Sequence, residues 1–116
     1  MEYKFTKDNF ETEVLKSDKL VLIDFYADWC GPCRTMGPVV DQIAKDYDGK
    51  VKVGKINVDE EHEIAAQFGI RSIPCFVFMK DGEVADHVVG AVPGTELTYR
   101  IDEGRLIREK KEGTAG

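Results

Sequence analysis

Cys30 and Cys33, with two residues between them, are the pair in this chain whose spacing could do chemistry. Their sulfurs can close a small disulfide ring and open it again. An apolar run, Leu20 to Ala27, leads into the pair, and a helical pattern follows it. A CxxC at such a strand–helix junction reads as a redox motif. Cys30 falls at the helix N-terminus, where unpaired backbone N–H groups and the positive end of the dipole favour thiolate over thiol. Thiolate is the nucleophile. Pro32 suits the first turn, because the N–H it lacks is one the helix does not use there. Cys33, Met36, Val40, Ile43, Ala44 and Tyr47 recur at steps of three and four and form one apolar stripe. Cys33 belongs to the stripe and is predicted to turn inward. Cys30 lies off it and is predicted to be exposed. The expected roles follow: Cys30 attacks and Cys33 resolves.

Two charged residues stand out of place. Asp24 interrupts the most apolar strand of the chain, and a buried carboxylate is costly unless paired or protonated. A general base whose pKa burial has raised is the functional reading; a solvated strand end is the plain one. Lys55 continues the apolar face of Val51 and Val53 by period two. It is predicted to lie near Asp24, or else to snorkel to solvent. Cys75, the third cysteine, sits in an interior-looking run with Phe76, Val77 and Phe78. It reads as a buried bystander, with a regulatory thiol as the rival. A zinc site from Cys30, Cys33, Cys75 and either His62 or His87 is the outside reading, because a lone CxxC lacks its second knuckle.

The elements that must position these residues can be read in order. A short strand near Glu2–Phe5 comes first. Thr6 is placed as the N-cap of a helix carrying Phe10, Val14 and Leu15 inward. Leu20–Ala27 is apolar on both faces and predicts a strand buried on both sides. The helix from Pro32 to Tyr47 contains Pro38, which should kink it. Val51–Val58 is predicted as a strand parallel to the previous one. Asp59 is expected to cap a short helix bearing Ile64, Ala65 and Phe68, which Gly69 ends. Pro74 opens the strand Cys75–Met79, and Asp81-Gly82 signals a hairpin returning through Glu83–Val89. Thr95 is expected to cap a last helix with Leu97 and Ile101 inward. Gly104 should weaken it, and Glu109–Gly116 is predicted to fray. The pattern βαβαβαββα predicts an α/β fold: one five-stranded mixed sheet flanked by four helices, in one domain spanning 1–116.

The segment Phe25-Tyr26-Ala27-Asp28-Trp29-Cys30-Gly31-Pro32-Cys33 resembles the active-site segment of the thioredoxin family. Ile73-Pro74 and Gly82-Glu83-Val84 fall where that family has its proline loop and hairpin, so the resemblance runs from about Phe5 to about Ile101. It implies the thioredoxin fold, with Leu20–Ala27 at the sheet centre. It also implies a protein-disulfide reductant, working in electron transport and cell redox homeostasis without a bound cofactor. Gly31 and Pro32 would tune the dithiol toward reduction. Asp24 would assist proton transfer with Cys33, and Lys55 would modulate Asp24. Pro74 would be cis, its loop facing Cys30. Trp29, Gly31, Pro32, Val58, Ile73, Pro74, Val89, Gly90 and Ala91 would form the docking surface. The implied partners are disulfide-containing proteins and a flavoprotein thioredoxin reductase using NADPH. An oxidase- or isomerase-like exchange protein, or a non-catalytic binding subunit on the same fold, are the alternatives. The chain departs from the family's pattern at Tyr26, often tryptophan, Ser72, commonly glycine, and Cys75, usually threonine.

Composition narrows the setting. The 116 residues suffice for one core. A net charge of −6 argues against nucleic acid, since phosphate binding needs a basic face. Three cysteines do not make a disulfide scaffold. Met1 to Phe5 carries no signal-peptide core, and no apolar run reaches membrane-spanning length. A monomer in a reducing cytoplasm, away from membranes, is the expectation.

Overall fold

The structure is a computed structural model describing residues 2–115, with side chains through residue 104. Five strands, β1 (Glu2–Lys4), β2 (Leu20–Tyr26), β3 (Val51–Asn57), β4 (Cys75–Lys80) and β5 (Glu83–Val89), form one sheet in the order β1-β3-β2-β4-β5. β2 lies at its centre. It pairs in parallel with β3 and antiparallel with β4, and every residue from Leu20 to Phe25 is buried. A strand covered on both faces has no polar side to keep, which is why this run does not alternate.

Four helices cover the faces: α1 (Glu11–Leu15), α2 (Gly31–Asp46), α3 (His62–Gln67) and α4 (Gly94–Ala115). Alternation along the strands sends Leu20, Leu22, Val51 and Val53 into one core with Met36, Val40 and Ile43 of α2 and Leu97 and Ile101 of α4. Val21, Ile23, Phe25, Ile56 and Val77 go to the opposite core with Val14 of α1 and Ile64 of α3. The predicted α/β architecture and its mixed sheet are therefore present. Asp81 (φ 52°) and Gly82 (φ 80°) make the expected hairpin turn, since two successive positive φ angles match the twist of the joined strands.

Several local expectations are corrected. Thr6 Oγ1 accepts the Asp8 N–H at 3.3 Å, capping only the turns that lead into α1. α1 itself is one wide turn, in which the Lys16 N–H reaches back five residues to Glu11 O (2.9 Å). It ends at Leu15, which lies at the rim and is 40% exposed rather than inward. Thr95 falls inside α4, which already begins at Gly94. Gly104, expected to weaken this helix, lies within α4, which continues past it. A Cβ there would sit 3.4 Å from Leu20 Cδ2, in ordinary contact with the sheet. The side chains of the tail from Glu109, where fraying is expected, lie outside the described residues.

Candidate functional site

Parallel β2 and β3 end on the same side of the sheet, and antiparallel β4 begins there. The loops beyond these three ends converge. The Val58 N–H donates to Tyr26 O (2.9 Å), and the Gly90 N–H donates to Pro74 O (2.8 Å). The Ile73–Pro74 peptide is cis. Cys30 and Cys33 lie between these loops, joined in a disulfide with their Cα atoms 5.2 Å apart.

Cys30 is the N-cap of α2, with extended backbone angles, and its Sγ accepts the Cys33 N–H at 3.2 Å. This is the stabilisation a thiolate needs, because an orphan helix donor faces the sulfur. Cys33 is inward on the buried stripe, as expected. Cys30 is not exposed as expected: it is only 4% accessible. The apolar stripe reflects α2 alone, whereas Cys30 is enclosed from outside that helix. It packs with Ala27, Tyr26, Val58 and Ile73, and its Sγ lies 3.9 Å from the Ile73 carbonyl oxygen.

Asp24 is buried, at 2% exposure, and its Oδ1 has no hydrogen-bond partner. Loss of solvation pushes its carboxyl up to about 7, with Lys55 opposing that rise and Asp41 adding to it. The reading of Asp24 as a solvated strand end is thereby overturned. Lys55 stands directly across the β2–β3 ladder from Asp24. Both residues line a cavity of about 360 Å³ together with Cys33, Tyr26 and Arg34. That cavity is large enough for water to connect the carboxyl with the inner sulfur. The Lys55 ammonium, however, makes its ion pairs with Glu2 (3.7 Å) and Asp41 (4.0 Å).

Around the dithiol, Trp29 is 69% exposed, Gly31 and Pro32 are exposed, Val58 and Ile73 are half-buried and Pro74 is buried. Gly90 is held beside Pro74, with exposed Ala91 following. Val89 is exposed on β5, opening onto a neighbouring groove of about 280 Å³ that also contains Ser72 and Cys75. Cys75 is buried, and burial followed by the nearby Asp24 charge pushes its thiol up. Asp59 does not cap α3, whose N-cap is Glu61. Its carboxylate instead accepts the Trp29 indole N–H at 2.9 Å. Asn57, buried, accepts the N–H groups of Asp59 and Glu60 and shapes the same loop. Neither role carried a sequence signal beyond polar residues after a strand. Among the described residues, no three His, Cys, Asp or Glu side chains converge as metal ligands would.

The thioredoxin family model matches residues 2–103. The chain is 52% identical over 101 residues to "Thioredoxin" of Chlorobaculum thiosulfatiphilum, covering 87% of this chain and 94% of that one. It is 53% identical over 98 residues to "Thioredoxin 1" of Nostoc sp., covering 84% and 92%. The chain belongs to the thioredoxin family. A thioredoxin-family chain with its Cys30–Cys33 pair intact is a thiol–disulfide oxidoreductase, reducing protein disulfides by dithiol–disulfide exchange. Among the described residues, no helix is long and apolar enough to cross a membrane.

Proposed function

We propose that Cys30 is the attacking thiol, Cys33 the resolving thiol and Asp24 the proton acceptor. The observation that carries this reading is the Cys33 N–H aimed at Cys30 Sγ, with Asp24 and Cys33 on one cavity. The Cys30 thiolate attacks one sulfur of a target disulfide, and the other target sulfur leaves as a thiolate. The Cys33 thiol gives its proton toward Asp24, attacks Cys30 Sγ and releases the second target thiolate. The target gains two electrons and the protein ends as the Cys30–Cys33 disulfide. Asp24 suits the task because a group titrating near neutrality can both take and return a proton. Lys55 modulates it by charge. Gly31 and Pro32 tune the pair, while Trp29, Val58, Ile73, Pro74, Val89, Gly90 and Ala91 dock the target. The Ile73 backbone supplies hydrogen bonds to an extended target segment.

The protein works as a monomer in the cytoplasm, serving electron transport and redox homeostasis, and an NADPH-dependent flavoprotein thioredoxin reductase returns it to the dithiol. Insulin reduction with a chemical reductant tests the assignment. Cys30→Ser is expected to abolish turnover, and Cys33→Ser to accumulate mixed disulfides through Cys30. Mixed disulfides trapped on Cys33 in Cys30→Ser, with none in Cys33→Ser, would reverse the two roles.

A further inference from the structure

Lys55 has a carboxylate directly across the ladder in Asp24, yet among the described residues its ion pairs go elsewhere. Its Nζ lies 3.7 Å from Glu2 Oε1 on β1 and 4.0 Å from Asp41 Oδ1 on α2. It also sits 5.6 Å from the centre of the Tyr26 ring. A Cβ at Gly37 would lie 3.9 Å from it, at ordinary van der Waals contact, so the ammonium lies alongside this stretch of α2. We propose that Glu2 and Asp41 are positioning residues, which together hold the Lys55 ammonium on the β1–α2 side and leave the Asp24 carboxyl without a paired cation. The inference rests on the reading of Asp24 as proton acceptor.

The two carboxyls act as a unit. Glu2 Oε2 is buried and no donor reaches it, a costly state for an ionised group. Burial, and then the hydrogen bond with Asp41, push the Glu2 carboxyl up to about 8. Asp41 moves the opposite way, held low chiefly by that same hydrogen bond. Near neutral pH, Glu2 therefore keeps its proton and lies against Lys55 as a neutral carboxyl, while the Asp41 anion supplies the charge that faces the ammonium. Above about 8, Glu2 ionises and adds a second anion beside the ammonium. In either state Lys55 is drawn away from Asp24.

The other charged neighbours do not substitute for this pair. Lys4 on β1 turns to Glu60 (3.4 Å), and Arg34 on α2 donates to the Asp28 carbonyl (2.9 Å). Lys45 stabilises the Asp41 anion. Cys33 is the group Asp24 is meant to serve.

The test is a ¹³C NMR titration of the Asp24 carboxyl in the full chain. Removing both acceptors in Glu2→Ala/Asp41→Asn frees Lys55 to pair with Asp24. The apparent pKa of Asp24 is then expected to fall by about one unit, as for a carboxylate gaining a close cation. The same double change on a Lys55→Gln background is expected to shift it much less. Asp41→Asn alone, at a half-exposed helix position, should fold normally and shift Asp24 in the same direction by a smaller amount. Glu2→Gln keeps a donor to Asp41 and should leave Asp24 near its wild-type value. No fall, or an equal fall with and without Lys55, overturns the proposal. The pH profile of mixed-disulfide release separates the two claims. If the Asp24 titration moves while that profile stays, the restraint on Lys55 stands and the role of Asp24 in proton transfer falls.

Discussion

Cys75 adjoins Pro74 at the site end of the sheet, so proximity alone would make it a second reactive thiol. Its surroundings argue otherwise. It packs into the core beneath α1 and α3 and pairs with Phe25 and Val89 across the ladders. Among the described residues it caps none of α1, α2 and α3, and burial holds the proton on. Cys30 is equally buried but receives a backbone N–H. In the reduced protein, Cys30 is expected to alkylate at neutral pH while Cys75 stays unmodified until the chain unfolds. Mass spectrometry of partially alkylated protein checks this, and labelling of native Cys75 at a rate close to that of Cys30 would refute it. Cys75→Thr is expected to keep full insulin reduction.

The elements are held at their spacing by glycines whose neighbours are distant in sequence. A Cβ on Gly54, in β3, would collide with the Phe5 ring just after β1. Gly54→Ala is expected to cost about 1–3 kcal/mol by overpacking. Gly104→Ala meets only ordinary contact with Leu20 and is expected to stabilise α4 by about 0.5–1 kcal/mol. Urea unfolding of both variants decides; equal effects in one direction would contradict the packing account. These glycines also mark the limit of reading elements from sequence. β2 and the stripe of α2 were legible because their patterns are local. Gly54 shows nothing locally, because the ring that requires it arrives from the segment just after β1. Asp59 looked like a cap until Trp29 supplied a donor from 30 positions away. Cys30 looked exposed because the Ile73 loop that covers it is 43 positions distant. Glu2 and Asp41 carry no local signal, since each is an ordinary acid until Lys55 lies between them.

Across the whole molecule, buried carboxyls set an unusual response to pH. The folded chain holds the Asp24 proton to about 7 against an ordinary 3.8, and that of Glu2 to about 8 against 4.5. Between those limits the folded state binds more protons than the unfolded one, so stability falls as pH rises through this window. Asp41, held low, acts in the opposite direction and only at more acid pH. Oxidised protein is therefore expected to resist urea better at pH 5 than at pH 8. Asp24→Asn should flatten the decline and gain on the order of 2–4 kcal/mol at pH 8, with little change at pH 4. A wild type that gains stability from pH 5 to pH 8 would contradict this. The direction of the strands has a separate consequence. β4 starts at the dithiol end and runs six residues to Lys80, so the Asp81–Gly82 turn lies about 20 Å away at the opposite pole. Glu83, exposed beside that turn, is thus a natural anchoring point. A monolayer grafted to an electrode or bead through a cysteine-free linkage at position 83 would turn every reactive face toward the solution.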